Sequence, residues 1–234
     1  MRRETFSPES PTPEPSPDVL RETIARLTAE NHSLERENER LREIAMKDPL
    51  TGLWNRRGLA ETVELLFPEK NAERSEHRGK EREGKREAAV LVLDIDNFKI
   101  INDLYGHDGG DAVIKKAAET LRDSLRATDI VCRWGGEEFV AVFRGADAQN
   151  VINKFYRKDD QRAEFSFETE LNGEPVSITM SGGVTDLLPG ESLAVAVARA
   201  DSGLYAAKEA GKNRIERVPS ETERKFPPAS EGKR

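Results

Sequence analysis

Apolar residues along this chain form several short runs, and two of these runs meet acidic residues at one end. Residues 88–93 are Ala, Val and Leu throughout, and the sequence Asp-Ile-Asp follows directly at 94–96. Residues 139–143 are also apolar, and they are preceded by the pair Glu137-Glu138. Uninterrupted apolar runs of this length are typical of buried β-strands. The pattern therefore predicts two core strands whose ends carry carboxylates.

The same reasoning assigns elements to the rest of the core. Asp48 and Pro49 suit the cap and first position of a helix that ends near Phe67. The order of the elements indicates an α+β fold, with antiparallel strands in the sheet and helices on one face. The predicted strands are 88–95, 129–134, 137–143, 164–169, 175–185 and 213–217, and the predicted helices are 97–104, 110–126, 146–159 and 192–210.

A different pattern occupies residues 18–46, where leucine recurs at every seventh position. Such a heptad repeat predicts a coiled coil, and asparagine within the seam favours a parallel, in-register dimer. The alternative is a single amphipathic helix packed on its own domain, but the narrow apolar stripe favours the coiled coil and hence a homodimer. The seam consists of Leu20, Leu27, Leu34 and Leu41 with Ile24, Asn31, Asn38 and Ala45 between them.

Three polar segments surround these regions. Residues 1–17 hold prolines among Ser, Thr and Glu, and they are predicted to be a disordered leader. Residues 218–234 are polar and are predicted to be a disordered tail. Residues 70–87 are mostly charged and contain no large apolar side chain. That composition favours a flexible, solvated insertion over a basic binding element.

Composition narrows the class of protein further. Hydrophobic residues make up 36% and charged residues 35% of the chain, which fits a domain with non-globular appendages. The net charge of −7 argues against non-specific nucleic-acid binding, although it allows a local phosphate pocket. Cys132 is the only cysteine, so no disulfide can form within the chain. The sequence has no apolar run of membrane-spanning length and no signal-peptide pattern, so we expect a cytoplasmic protein without membrane insertion.

The pair Gly135-Gly136 lies between two predicted strands, where adjacent glycines favour a tight hairpin turn with positive φ. A solvated hairpin tip would by itself account for Glu137 and Glu138. However, the strand that ends at 94–96 also presents two carboxylates on one face, because side chains alternate along a strand. Two acidic strand ends that meet would supply the oxygen ligands that Mg²⁺ prefers.

Together with two further segments, these motifs resemble the GGDEF family of diguanylate cyclases. The heptapeptide Arg-Trp-Gly-Gly-Glu-Glu-Phe at 133–139 is similar to the family's signature, with Glu in place of the central Asp. Residues 48–57 resemble the family's opening segment, 94–111 its nucleotide-binding stretch and 200–214 its closing helix. The resemblance assigns residues 47–217 to one domain. It implies a ferredoxin-like nucleotide-cyclase palm, with a mixed central sheet flanked by helices.

The resemblance also implies an enzyme that condenses two GTP into cyclic di-GMP and two pyrophosphates across a dimer interface. Mg²⁺ is the implied cofactor, with Mn²⁺ as an alternative, and the implied ligands are Asp94, Glu137 and the carbonyl of Ile95. Because strand alternation sends neighbouring side chains to opposite faces, only one glutamate can directly share the site with Asp94 unless the hairpin contains a bulge. Glu137 is assigned metal and general-base duty, and Glu138 ranks second. Asp96 would either support the metal ligands from behind or cap a helix, and the helix cap is the preferred interpretation.

Other roles implied by the resemblance concern the substrate. Lys99 would place a cation near the phosphates. Lys208 and Lys212 lie four apart, which predicts one face of the last helix, and they would bind the triphosphate. The residues implied to read guanine and ribose are Asn102, His107 and Asp111.

Arg126 and Asp129 form an Arg-x-x-Asp motif just before the heptapeptide. In the resembled family this motif binds cyclic di-GMP as an inhibitor, and guanidinium and carboxylate groups suit its phosphates and guanine. Two alternative functions are a catalytically weak cyclic di-GMP receptor and an assembly module built on the coiled coil.

Overall fold

The structure is a computed structural model, and it describes residues 16–67, 88–157 and 162–220. The chain divides into two compact units, Met1–Ala45 and Met46–Arg234. Most of the predicted leader, the charged insertion at 70–87 and most of the predicted tail lie outside the described residues.

The first described element is α1, a helix from Pro17 to Met46. Pro17, which the sequence assigned to the leader, begins this helix, where its fixed φ and missing N–H are tolerated. No residue of α1 is buried, and the exposed fraction of the seam leucines ranges from 45% for Leu20 to 58% for Leu34. The predicted helix is therefore present, and its apolar stripe is exposed.

The second unit contains a sheet of seven strands and a separate two-stranded hairpin within the described residues. The helices are α2 (Arg56–Leu66), α3 (Phe98–Ser124), α4 (Ala148–Phe155) and α5 (Leu193–Glu209). The strands are β1 (Trp54–Asn55), β2 (Ala88–Ile95), β3 (Ile130–Arg133), β4 (Glu138–Arg144), β5 (Tyr156–Arg157), β6 (Arg162–Ala163), β7 (Phe165–Leu171), β8 (Glu174–Asp186) and β9 (Ile215–Arg217).

The order of strands in the main sheet is β1-β3-β4-β2-β8-β7. Strand β9 also pairs with β8, at residues 182–184, which follow the part of β8 that pairs with β7. Strand β1 is parallel to β3 and β9 is parallel to β8, whereas the other neighbours are antiparallel. The sheet is therefore mixed and flanked by helices. This arrangement confirms the predicted palm fold.

Strand β2 lies in the middle of the sheet, and every one of its residues is buried. Ala89, Leu91 and Leu93 pack with α3 and α4, while Val90 and Val92 pack with α2 and α5. A strand that is apolar on both faces must be covered on both faces. The expectation of helices on one face only is therefore wrong, because helices cover both.

Helix α2 begins at Arg56, later than the start predicted at Asp48. Its cap is Asn55, whose side chain accepts a hydrogen bond from the backbone N of Gly58 at 2.9 Å. Asp48 instead closes a turn, since its Oδ1 accepts from the backbone N and Oγ1 of Thr51 at 2.9 and 2.7 Å. The prediction of a helix cap at Asp48 is wrong for that reason.

The two helices predicted at 97–104 and 110–126 are joined as α3, with a kink at Gly106. Gly106 has φ 70° and ψ 176°, a conformation that a residue with a Cβ rarely adopts. The kink separates a short helix that follows β2 from a longer helix that packs on the sheet.

The hairpin between β3 and β4 is present, but neither Gly135 nor Gly136 has a positive φ. The positive pair is found instead at Asn172 (φ 53°) and Gly173 (φ 83°), which join β7 to β8. Adjacent positive φ values are the feature of a primed turn. The predicted turn type is therefore wrong at the heptapeptide, although the hairpin itself is correct.

The end of the described chain is packed onto the sheet. The backbone N of Val218 donates to the carbonyl of Val184 at 2.8 Å, and Thr185 Oγ1 donates to the carbonyl of Val218 at 2.9 Å. Val218 and Ser220 are buried. Residues 218–220, which the sequence assigned to the disordered tail, therefore extend the folded domain.

Helix α5 approaches β8 closely through two glycines. A Cβ on Gly183 would lie 2.0 Å from the carbonyl oxygen of Ala200, and a Cβ on Gly203 would lie 2.9 Å from the Cα of Gly183. Any larger side chain would push the helix outward. This close approach determines how far Lys208, in the last turn of α5, lies from the sheet.

Candidate active site

The acidic ends of β2 and β4 lie side by side. Asp94 is directly opposite Glu138 in the antiparallel pair of β2 and β4, and it is opposite Ser181 on its other side, in β8. Directly opposed residues project to the same face, with Cβ atoms about 5 Å apart. The structure thus brings together the two acidic strand ends that the sequence singled out.

The strand register shows which of the two glutamates is the direct neighbour of Asp94. Glu138 shares the face of Asp94, whereas Glu137 lies in the bend before β4 begins. The carbonyl of Glu137 accepts a hydrogen bond from the backbone N of Ile95 at 3.3 Å. Because Glu137 precedes the strand, strand alternation does not decide which face its side chain takes. Geometry therefore favours Glu138 as the neighbour of Asp94, and the role of Glu137 rests on the family resemblance.

Electrostatic crowding marks this edge of the sheet. Burial raises the pKa of Asp94, and Lys208 opposes that rise, since its Nζ lies 2.8 Å from Asp94 Oδ1. Burial also raises the pKa of Glu138, and the negative charges of Asp94 and Asp201 raise it further. Asp201, which lies two helical turns before Lys208 on α5, was not among the predicted site residues. A cation placed between these carboxylates would relieve their repulsion.

The donor atoms at this edge fit magnesium. Among the described residues, no three His, Cys, Asp or Glu side chains converge as a ready-made metal site. However, the carboxylates of Asp94, Glu137 and Glu138 and the carbonyl of Ile95 are hard oxygen donors. Enzymes commonly hold Mg²⁺ with one or two carboxylates and complete its ligands with substrate phosphates and water. The ammonium of Lys208 beside Asp94 indicates that this carboxylate attracts a cation.

Asp96 connects three segments next to the site through its carboxylate and does not cap a helix. Its Oδ1 accepts from Ser181 Oγ at 2.7 Å, and its Oδ2 accepts from Thr179 Oγ1 at 2.7 Å and from the backbone N of Asn213 at 3.0 Å. The cap position of α3 belongs to Asn97, which has φ 57°. The interpretation of Asp96 as a cap is wrong, because its carboxylate ties β2 to β8 and to the loop after α5.

Lys208 and Lys212 do not share a helix face as predicted. Helix α5 ends at Glu209, and Lys212 lies in the following loop with φ 63°. Its Nζ donates to Asn97 Oδ1 at 2.6 Å, so Lys212 still reaches the segment between β2 and α3. Both lysines therefore flank the same acidic edge, one from the helix and one from the loop.

The four other predicted substrate contacts all lie on α3. Asn102 is partly buried and packs on Gly110, where a Cβ would lie 2.0 Å from Asn102 Oδ1. Lys99, His107 and Asp111 are exposed. These residues belong to the segment that directly follows the acidic end of β2, and the kink lies among them.

Arg126 and Asp129 lie in the connection from α3 to β3, beside a cavity of about 220 Å³. The carboxylate of Asp129 accepts from the backbone N of Arg126 at 3.0 Å and from that of Arg144 at 3.3 Å. Arg144, Asn150 and Lys154 also line this cavity, and none of the three was predicted from the sequence. The antiparallel pairing of β3 and β4 was the available signal, because it returns the end of β4 to the Arg-x-x-Asp turn.

Comparison with known proteins agrees with these features. A family described as "Diguanylate cyclase, GGDEF domain" matches residues 45–214. The chain is 37% identical over 200 residues to "Diguanylate cyclase DgcP" of Pseudomonas aeruginosa, covering 85% of this chain and 28% of that protein. It is 33% identical over 174 residues to "Response regulator PleD" of Caulobacter vibrioides, covering 74% of this chain and 36% of that protein. The chain therefore spans about a third of the length of these relatives.

A similar solved structure is that of the coiled coil and GGDEF domain of DgcB from Caulobacter crescentus in complex with c-di-GMP. It has a TM-score of 0.67 and 30% sequence identity, and the match covers 85% of this chain and 99% of that one. In residues 16–67, 88–157 and 162–220, every helix is too short or too polar to cross a membrane. The family match over residues 45–214, the shared fold and the paired acidic strand ends lead to one conclusion: this chain belongs to the GGDEF family of diguanylate cyclase domains.

Proposed function

We propose that this chain is a Mg²⁺-dependent diguanylate cyclase, which condenses two GTP into cyclic di-GMP and two pyrophosphates. The proposal rests on the pairing of Asp94 with Glu138 where two strand ends meet, in a domain of this family. The relative DgcP, which bears the name of that activity, supports it.

Asp94, Glu137 and the carbonyl of Ile95 would hold the metal, with Glu138 adding negative charge beside Asp94. Bound there, magnesium supplies positive charge to the attacking oxygen and to the phosphates. Glu137 accepts the proton of the 3′-hydroxyl of one GTP, whose oxygen attacks the α-phosphate of the other, and pyrophosphate leaves. The 3′-hydroxyl of the second nucleotide then attacks the α-phosphate of the first, the second pyrophosphate leaves, and the ring is closed.

Cations and polar groups around the acidic edge bind the nucleotide. Lys208 and Lys212 flank that edge and neutralise the triphosphate, and Lys99 meets the charge that grows on the leaving phosphates. Asn102 and Asp111 accept hydrogen bonds from the N1–H and amino group of guanine. His107 binds at the ribose.

The direct test is incubation of the purified protein with GTP and Mg²⁺, followed by separation of the nucleotides by chromatography. We expect cyclic di-GMP and pyrophosphate in a ratio of one to two. Binding of cyclic di-GMP without turnover would support a receptor instead. Neither binding nor turnover would support an assembly module.

Guanine recognition gives a more specific prediction. Asn102→Ala or Asp111→Ala leaves guanine donors unpaired, which costs about 1–3 kcal/mol for each buried group. GTP affinity is expected to fall more than ATP affinity, as measured by titration calorimetry. Asp103→Ala is the matched control, because Asp103 is an exposed neighbour on α3. Equal weakening of both nucleotides would assign Asn102 and Asp111 to the fold and not to the base.

Product inhibition is the second part of the proposal. The carboxylate of Asp129 is held by two backbone N–H groups, so it is already oriented to accept from guanine. Arg126, Arg144 and Lys154 give the adjoining cavity a positive charge that suits phosphates. Cyclic di-GMP bound there would act as an inhibitor.

Arg126→Ala removes one charged partner of the product, so binding of cyclic di-GMP is expected to weaken by about tenfold or more. Calorimetric titration of the protein with cyclic di-GMP measures this change. Arg122→Ala, one turn earlier on an exposed face of α3, is the control and is expected to leave affinity unchanged. An unchanged affinity in Arg126→Ala would rule out the cavity as the product site.

The third part of the proposal concerns assembly. The uncovered leucine seam of α1 fits a second copy of the same helix, and two asparagines in the seam favour the parallel register. The resulting homodimer supplies the two GTP-loaded domains that the reaction needs.

A further inference from the structure

Arg133, the last residue of β3, binds two separate parts of the chain with one guanidinium. Its Nε and Nη2 donate to the carbonyl of Gly136 at 3.0 and 2.8 Å. Its Nη1 donates to the two carboxylate oxygens of Asp48 at 3.2 and 3.4 Å. The side chains of Arg133 and Asp48 are only 18% and 15% exposed, so solvent screens this ion pair less than a surface pair.

Asp48 is itself held firmly. Its carboxylate accepts from Thr51, its backbone N donates to the carbonyl of Leu53 at 2.8 Å, and its own carbonyl accepts from the backbone N of Gly52 at 2.8 Å. The segment then continues into β1, where Asn55 pairs with Arg133. The guanidinium of Arg133 is therefore fixed by a turn that is tied to the sheet.

The carbonyl of Gly136 is a sensitive point for the active site. A peptide unit is planar, so the orientation of this carbonyl fixes the plane that also contains the backbone N of Glu137. Glycine by itself leaves that plane free to rotate, and a Cβ on Gly136 would meet no atom within 4 Å. The two hydrogen bonds from Arg133 supply the restraint that packing around Gly136 does not.

The residue after Arg133 is held in a comparable way. The guanidinium carbon of Arg56, in the first turn of α2, lies 4.4 Å from the centre of the Trp134 ring. A cation that lies over the face of an aromatic ring is attracted by the π electrons of the ring. Both residues that lead into the Gly-Gly bend are thus restrained by residues of the segment that precedes or begins α2.

We propose that Arg133 is a positioning residue, which orients Glu137 through the carbonyl of Gly136, and that Asp48 holds Arg133 in place. The inference rests on the proposed cyclase function. The planar fork of Arg is required, because a Lys ammonium would reach either Asp48 or the carbonyl but would not hold both in fixed geometry.

The test uses the full chain with the variants Arg133→Lys and Asp48→Asn and their combination. A displacement of about 1 Å in a catalytic group costs about 10²-fold, so kcat of Arg133→Lys is expected to fall by that order with little change in the KM for GTP. Asp48→Asn is expected to lower kcat less, and to add little in the double variant, since both act on one chain of contacts. Arg57→Lys is the control, because Arg57 forms an exposed ion pair with Glu61.

Amide hydrogen exchange provides a readout that is independent of turnover. In Arg133→Lys, the peptide spanning 130–140 is expected to exchange faster than in the parent, while exchange in 165–180, which has no pairing with the bend, stays the same. An unchanged kcat, or a loss of kcat accompanied by faster exchange throughout the sheet, would overturn the positioning role. A parent protein that makes no cyclic di-GMP would instead overturn the proposed function, and exchange at 130–140 would still decide whether Arg133 restrains the bend.

Discussion

Glu137→Gln is expected to lower the turnover number by about 10²- to 10⁴-fold, the usual contribution of a general base. Glutamine keeps the shape of the side chain but neither accepts the proton of the 3′-hydroxyl nor offers a charged ligand to magnesium. The measurement is the initial rate of cyclic di-GMP formation over a range of Mg²⁺ concentrations. Far-ultraviolet circular dichroism and thermal unfolding check that the fold is intact. Turnover within a few-fold of the parent, with the same dependence on Mg²⁺, would contradict the assignment.

The neighbouring variant Glu138→Gln tells the two glutamates apart by a property other than rate. The pKa of Glu138 is raised in the fold, mainly by burial and then by the charge of Asp94. The folded protein therefore binds this proton more tightly than the unfolded chain does. Stability from this group is present at low pH and is lost as pH rises from the unfolded pKa through the raised folded pKa.

At neutral pH without metal, the environment that raises the pKa of Glu138 thus opposes folding, so Glu138→Gln is expected to raise the midpoint of thermal unfolding. Addition of Mg²⁺ with a nonhydrolysable GTP analogue is expected to stabilise the parent more than this variant. Glu137→Gln, measured in parallel, shows whether the change in midpoint and the change in ligand stabilisation are specific to Glu138 or follow the loss of either glutamate. A lower midpoint for Glu138→Gln in the absence of metal would contradict the crowding of Glu138 against Asp94.

The elements set by local pattern could be predicted from the sequence. Residues 88–95 form β2 as predicted, because the apolar run at 88–93 is buried on both faces in the middle of a covered sheet. The two-part α3 also follows from a local cause, since Gly106 permits the kink. The meeting of the acidic ends of β2 and β4 had no local cause, because α3 and β3 separate the two strands along the chain and their pairing is long-range.

The errors arose where a distant residue decides between two locally acceptable states. Asp96 is an acceptable cap by local rules, but Thr179 and Ser181, far away in sequence, offer its carboxylate better partners. Asp48 is likewise a good cap in isolation, and Arg133 and Thr51 hold it in a turn instead. No local pattern reports such long-range partners.

The position of Lys212 is a different case, because the signal was local. Gly211 has φ 102° and follows the end of α5, which is the position where glycine commonly terminates helices. That rule places Lys212 beyond the helix. Which glutamate lies beside Asp94 depends instead on the register of the hairpin. The turn at Gly135-Gly136 is not a primed turn, and composition alone does not reveal its register.

Deleting residues 1–46 is expected to make the specific activity depend strongly on protein concentration. In the proposed reaction each domain binds one GTP and needs the GTP of a second domain, so the rate would depend on how often two domains meet. A coiled coil would hold the partner at an effective concentration on the order of mM. Without α1 the encounter is bimolecular. GTP affinity of the truncated protein is therefore expected to stay near that of the full chain, while activity at sub-micromolar protein falls and then rises with concentration.

A pair of substitutions tests the same point without truncation. Leu27→Asp with Leu34→Asp places charges in the seam, where both leucines are about half exposed in the single chain, and is expected to reproduce the effect of the deletion. Glu22→Lys with Glu43→Arg changes charge on α1 outside the seam and is the control. Sedimentation velocity under assay conditions measures the oligomeric state beside the rate. Concentration-independent activity in the truncated protein, or a monomeric full chain that is fully active, would show that the domains meet by another surface.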